Sequence, residues 1–174
     1  VKFNAADLQK TDFTKTQLTN VSFLLCNMKS TNFQKMNLSG FDFTDSDLEN
    51  ANFKEAMLQN ITCTQTNFKE ADFTLADLSG AFGDTPDFSQ AILKQANLMG
   101  CDFRCACFAQ ANLQQARFDN ARLDRSEFTK ADCREGSFTN IKAPYSDFSN
   151  AIVTNADMRR ANLIQSVLHN MEVI

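Results

Sequence analysis

Residues 68–82, FKEADFTLADLSGAF, place large apolar side chains at Phe68, Phe73 and Leu78 and small ones at Ala71, Ala76 and Ala81, each set five apart. A helix repeats every ~3.6 residues and a strand every two, so neither element accounts for this spacing. Repeats are sought first for that reason. Among residues whose number leaves 3 on division by five, the 34 positions from Phe3 to Leu168 hold fifteen Phe and twelve Leu, and only Gly83 and Ala143 are small. Two positions earlier, Ala fills 16 of 34. Between them lies a polar residue, commonly Asp or Asn, as at Asp7, Asp12, Asn32, Asn37, Asp42, Asp47 and Asn52. The frame never slips, even through GDTPDF at 83–88.

Copies such as ADFTL, ADLSG, ANLMG, ANLQQ and ANLIQ carry an A(D/N)LXX signature that resembles the pentapeptide-repeat family over nearly the whole chain. The resemblance implies an all-β fold, a right-handed quadrilateral β-helix. Each repeat forms one face and four faces close a coil, so the 174 residues make about eight coils. Stacked at the strand spacing of about 4.8 Å, they form a rod on the order of 40 Å long.

The sequence tests the fourfold closure independently, because residues 20 apart must then stack. Phe13, Phe33, Phe53 and Phe73 form one ladder, and Leu18, Leu38, Leu58, Leu78 and Leu98 the next. One corner column, Asn20, Gly40, Asn60, Gly80, Gly100, Asn120 and Asn140, is all Gly or Asn, the residues that tolerate positive φ. The equivalent column Lys15, Lys35, Glu55, Leu75, Gln95, Gln115 and Glu135 has no such bias. The expectation is type II turns, with φ > 0 at their third residue, on one face only.

Packing changes along the rod. Phe3 to Phe53 alternate with Leu or Met, and from Phe108 to Phe148 the Phe phase is inverted. Between the two, Gly83 predicts an irregular coil at 81–88 with Phe82 folding inward to fill the gap. Ile61 and Ile141 would likewise compensate for Cys63 and Ala143. Residues 1–163 form the repeat domain. Residues 164–174 are expected to hold the last repeat and a short C-terminal cap, helical or irregular. Ile164, Val167, Leu168, Met171 and Ile174 suit a helical stripe, while Leu163 and Leu168 still fit the frame. The N-terminus shows no cap, so the chain reads as part of a longer or processed protein, with a homodimer through one terminus left open.

Chemistry is sparse. No run of 18 apolar residues exists to span a membrane. The six Cys lack the spacing of a disulfide framework, which favours reduced thiols in a cytoplasmic setting. Cys101, Cys105 and Cys107 lack zinc-site spacing; Cys101 should point inward and the other two outward beside a corner. His169 has no partner nucleophile in a recognisable motif. The Asp residues sit where the repeat calls for an outward polar group, and no phosphate-binding glycine loop is present. No catalytic residue, metal or cofactor is expected, and the chain reads as a non-enzyme.

Charge is segregated along the sequence: net +3 over 1–40, −8 over 41–90 and +1 over 91–174. The middle segment forms an acidic belt of Asp42, Asp45, Asp47, Glu49, Glu55, Glu70, Asp72, Asp77, Asp84 and Asp87, a candidate docking patch for a protein. Two function classes follow. The first is a structural, protein-interaction module, a rigid rod presenting flat faces to an unknown protein partner. The alternative is a DNA-mimicking modulator of DNA gyrase of the quinolone-resistance type. The net charge of −4 and the confinement of acid to one belt rank it second, and no direct nucleic-acid binding is expected.

Overall fold

A computed structural model describes residues 2–19 and 21–173. The chain winds so that residues 20 apart pair in parallel. Strand β1 (Lys2–Asn4) pairs with β2 (Ser22–Leu24) in the register Lys2↔Ser22, Phe3↔Phe23, Asn4↔Leu24. Beyond β2 the ladder consists of single parallel bridges, such as Asp42↔Thr62, Asp47↔Asn67, Asn52↔Asp72 and Met57↔Asp77, and runs on to Ile152↔Glu172. A five-residue wall leaves room for only one bridge before the next corner. The faces are numbered here from residues 1–5, 6–10, 11–15 and 16–20 of the first coil.

One repeat shows why five residues close a wall. Asn52 N–H donates to Thr31 O of the coil below at 2.9 Å, while Phe53 and Glu55 donate to Asp72 and Thr74 of the coil above at 2.8 and 2.9 Å. Ala56 N–H closes the turn on Phe53 O at 3.0 Å. The remaining donor, Lys54 N–H, goes to Asn52 Oδ1 at 3.1 Å. All five N–H groups therefore have a partner, as a buried backbone requires. The Asp/Asn preference thus has a specific cause: a short side-chain acceptor two residues before an otherwise unserved donor. Where Lys142 stands in that position and can accept nothing, residue 144 is Pro and offers no donor. Among the described residues no buried side-chain polar atom lacks a partner.

The corners correct the sequence reading. Every multiple of five from Leu25 to Asn170 has positive φ, so Lys35 (60°), Glu55 (57°), Leu75 (62°) and Gln95 (58°) match Asn60 (58°) and Gly80 (67°). All four faces turn through the left-handed region as the coil closes, with Lys15 in the first coil the exception among the described corners. The Gly/Asn column marks where strain is relieved, not where the turn occurs; its first member, Asn20, lies outside the described residues. Thr85, β-branched at φ 57°, is the most strained choice. Thr85→Asn is therefore expected to stabilise the protein by about 1 kcal/mol, seen as a higher denaturant midpoint; an unchanged or lower midpoint would contradict the strain argument.

The core is a set of aromatic columns. Phe3, Phe23 and Phe43 stack on the first wall at 5.4 and 5.7 Å, and Phe13, Phe33, Phe53 and Phe73 on the third at 4.8–5.1 Å. The columns then transfer to the other pair of walls. Phe68, Phe88, Phe108, Phe128 and Phe148 stack on the second at 4.5–5.1 Å, and Phe118 on Phe138 on the fourth at 5.0 Å. Phe68 meets Phe73 edge-on at 5.2 Å, where the two arrangements interlock. Ile61 and Ile141 are fully buried beside the thin spots at Cys63 and Ala143.

Two further expectations fail. Phe82 does not fold inward: it is 48% exposed on the first face and keeps the bridge register Thr62↔Phe82↔Asp102. A Cβ on Gly83 would lie 2.6 Å from the backbone carbon of Cys63. The Gly83 backbone thus lies directly against Cys63 of the adjoining coil, and the frame continues with only a looser turn at Asp84–Thr85, where Pro86 has no N–H to close it. Of the two forms expected for a cap at 164–174, helical or irregular, the helix does not form through Val173. Residues 161–173 keep the five-residue frame, with Val167 N donating to Ser146 O at 2.9 Å and Glu172 N to Ala151 O at 2.8 Å; Ile174 lies outside the described residues. The end of the rod leaves Ile164, Val167, Leu168 and Val173 exposed.

Candidate interaction surface on the first face

The acidic belt of the sequence does not form one patch. Asp42, Asp45 and Asp84 fall on the first face, Asp47, Glu49, Glu70 and Asp87 on the second, Glu55 and Asp72 on the third, and Asp77 on the fourth. Five of them serve their own turns, accepting N–H from Thr44, Glu49, Thr74, Ser79 and Ser89 at Asp42, Asp47, Asp72, Asp77 and Asp87. Six are ion-paired: Asp47 and Glu49 with Lys29 at 3.2 and 2.7 Å, Glu55 with Lys35, Asp72 with Lys54 at 3.0 Å, Glu70 with Lys69, and Asp84 with Arg104. At Asp72 partial burial pushes the carboxyl up. Hydrogen bonds from Thr74 and Lys54 outweigh it, so the group titrates below the usual carboxylate range. Asn67 sits between Asp47 and Asp87 in its column and donates to Asp47 at 3.0 Å, separating two like charges.

The first face breaks the repeat rule most often, although Met57, Ile92, Cys107, Arg117 and Ile152 break it on the other three. Its polar column reads Asp42, Thr62, Phe82, Asp102, Arg122, Lys142, each residue bridged to the next. Its core column contains Cys63, Gly83 and Ala143. Beside Phe82 runs a chequered charge network. Arg104 Nε lies 3.2 Å from Asp84 and 3.1 Å from Asp102, and Arg122 lies 4.0 Å from Asp102 and 3.0 Å from Asp124. The hydrogen bond and charge of Asp124 hold the Arg122 guanidinium above its ordinary range. At the adjoining corner the Arg125 guanidinium sits 5.8 Å from the Tyr145 ring centre, within cation–π reach.

Two depressions mark this face. One of about 260 Å³ lies among Thr64, Phe82, Gly83, Asp84, Asp102 and Arg104; the other, of about 400 Å³, among Asp84, Arg104, Cys105, Asp124, Arg125 and Tyr145. Sharing Asp84 and Arg104, they form one shallow trough. The sequence singled out Asp84, Phe82 and Cys105 separately, but charge summed along the chain hid their grouping with Arg104, Arg125 and Tyr145. Reading every twentieth residue would have exposed a Phe, an Arg and a Lys where Asp or Asn is the rule.

Cys26, Cys63, Cys101 and Cys133 are buried free thiols, Cys105 is exposed and Cys107 half-buried; burial pushes the Cys63, Cys101 and Cys133 thiols well up, which leaves them unreactive. His169 is exposed. Among the described residues no group of His, Cys, Asp and Glu could hold a metal ion, and no helix is long and apolar enough to cross a membrane.

Two family models match. A pentapeptide repeat region covers residues 16–82 and 81–148, and pentapeptide repeats (8 copies) cover 145–172. No match emerges among curated protein sequences. Among solved structures, full-length QnrB1, a plasmid-mediated fluoroquinolone resistance protein, superposes with a TM-score of 0.57 at 16% identity, covering 95% of this chain and 92% of that one. A second QnrB1 structure gives 0.55 at 17% identity, covering 83% and 84%. HetL, a pentapeptide repeat protein involved in heterocyst differentiation regulation from the cyanobacterium Nostoc sp. strain PCC 7120, gives 0.38 at 21% identity over 95% and 88%. Identities this low speak to the fold alone.

Proposed function

The chain belongs to the pentapeptide-repeat family, and from that premise we propose that it is a non-enzymatic interaction module, a stiff rod that docks a protein partner on one flat face. The observation that carries this is the first face. An aromatic side chain that belongs in no turn stands exposed at Phe82, with Arg104 beside it and Arg122, Arg125 and Tyr145 farther along the same face. Aromatic and Arg side chains dominate binding hot spots, and departures from a local rule concentrate at functional sites. The carboxylates elsewhere are engaged in turns and ion pairs, which suits a scaffold better than acid–base chemistry. The test is affinity capture from the source organism's lysate with the wild-type chain and Phe82→Ser side by side. A protein retained by the first and lost from the second supports the reading; retention that ignores the change contradicts the placement on this face.

The DNA-mimic reading ranks lower on charge density. Duplex DNA carries one charge per roughly 1.7 Å of axis, or about three per coil rise of about 4.8 Å. No wall approaches that: the second face alternates Asp47, Asn67 and Asp87, with Lys29 on two of its acids. We expect no strong inhibition of gyrase supercoiling at low micromolar protein. Potent inhibition abolished by neutralising Asp42, Asp45, Asp47 and Glu49 would promote the mimic instead.

A further inference from the structure

We infer that the trough on the first face binds an extended acidic peptide segment of a partner protein, which pairs a large apolar residue with a carboxylate three to five residues away. The inference rests on the interaction-module reading and names the chemistry of its partner. Each acid around the trough has an arginine partner, but three carboxylates share two guanidinium groups: Asp84 and Asp102 on Arg104, Asp102 and Asp124 on Arg122. The cations at its far end differ. Arg125 and Lys142 are exposed and have no acidic group within ion-pairing distance among the described residues. Over Asp84, Asp102, Arg104, Arg122, Asp124, Arg125 and Lys142 the net charge is +1, and the unpaired cations lie at the end away from Phe82.

The spacing follows from the coil register. Phe82, Asp102, Arg122 and Lys142 occupy successive coils, so Phe82 and Lys142 are about 14 Å apart along the rod at about 4.8 Å per coil. An extended chain rises about 3.3 Å per residue, which places about four residues between an apolar contact on Phe82 and a carboxylate at Lys142, and fewer if Arg125 takes it. Arg125, braced against Tyr145 at 5.8 Å, presents a planar fork suited to a carboxylate. A helix would project its side chains less evenly into a trough this shallow and straight. A basic segment would meet the unpaired Arg125 and Lys142, and each acid of the trough already holds an arginine.

The experiment is selection of displayed random dodecapeptides against the full chain, followed by titration of the enriched peptides with three proteins: wild type, Phe82→Ser, and Arg125→Glu combined with Lys142→Glu. These side chains are exposed, so unchanged melting curves verify that each variant folds; Lys142→Glu alone stands in if the double variant does not. Enriched peptides should carry an apolar residue and an Asp or Glu at the stated spacing. Their Kd should rise at least tenfold with either variant and weaken with salt, as screened charges do. Peptides that bind but ignore both variants, or that are basic, overturn this inference while leaving the rod an interaction module. Failure to enrich any peptide overturns the inference, and the module reading then stands or falls on the capture experiment.

Discussion

Phe53→Ala is expected to lower stability by about 3–5 kcal/mol, the usual cost of emptying an aromatic site that cannot collapse. Phe53 is fully buried, stacked on Phe33 at 5.1 Å and Phe73 at 4.8 Å, and edge-on to Phe43 and Phe68 at 6.2 and 6.0 Å. It belongs to both aromatic arrangements where they meet, so its loss leaves four rings without a contact. The backbone ladder on each side pins the walls, which limits collapse into the cavity. Its neighbour Lys54 points outward and makes one exposed ion pair with Asp72 at 3.0 Å, so Lys54→Ala should cost about 0–1 kcal/mol. Denaturant midpoints compare the two directly, and equal midpoints would contradict the inward assignment.

Gly83→Ala is the second large effect, and it tests the opposite failing. The added Cβ would meet Cys63 C, Thr64 N and Cys63 O at 2.6, 2.7 and 2.8 Å. These are backbone atoms of the adjacent coil and cannot swing aside as a side chain can. The coils must separate, weakening the bonds from Cys63 N to Phe82 O and from Gly83 N to Asp102 O, now 2.9 and 3.0 Å. Overpacking of this kind costs about 1–3 kcal/mol. Gly136→Ala makes a fair comparison, because its nearest obstacle is the side-chain ring of Phe138 at 2.8 Å and its nearest backbone atom, Cys133 O, lies farther off at 3.0 Å. The Gly83 variant should show the larger drop in melting temperature; a Gly83→Ala protein as stable as wild type would mean that the close approach of the two coils is not real.

The core was legible in the sequence because burial acts on side-chain size, and size repeats visibly every five and every twenty residues. The exchange of Phe between wall pairs could be read for the same reason. The corners could not. Lys35, Glu55 and Gln95 occupy the left-handed region although nothing in their chemistry favours it; coil closure imposes the conformation, and residue choice only softens its cost of about 1–2 kcal/mol each. The C-terminal stripe was ambiguous, since Val167, Leu168 and Met171 fit a helix while Leu163 and Leu168 fit the frame. The pairing of Val167 and Glu172 with the preceding coil decides for the frame. Gly83 suggested a void, but absence of a side chain lets backbone approach as readily as it lets Phe82 enter. The first-face trough was illegible along the chain because its members lie in successive coils, and only the closed coil brings Asp84 beside Arg104 and Asp102 beside Arg122, each pair 20 residues apart.

The most direct test of the account is a four-face scan against a captured partner, with one exposed cation reversed on each wall: Arg122→Glu on the first, Lys130→Glu on the second, Lys94→Glu on the third and Arg117→Glu on the fourth. All four lie on the surface, so folding should survive each change, and melting curves check that it does. The account predicts at least a tenfold loss of affinity for the Arg122 variant and little change for the other three. Equal losses on all four faces, or a loss confined to another face, would contradict it.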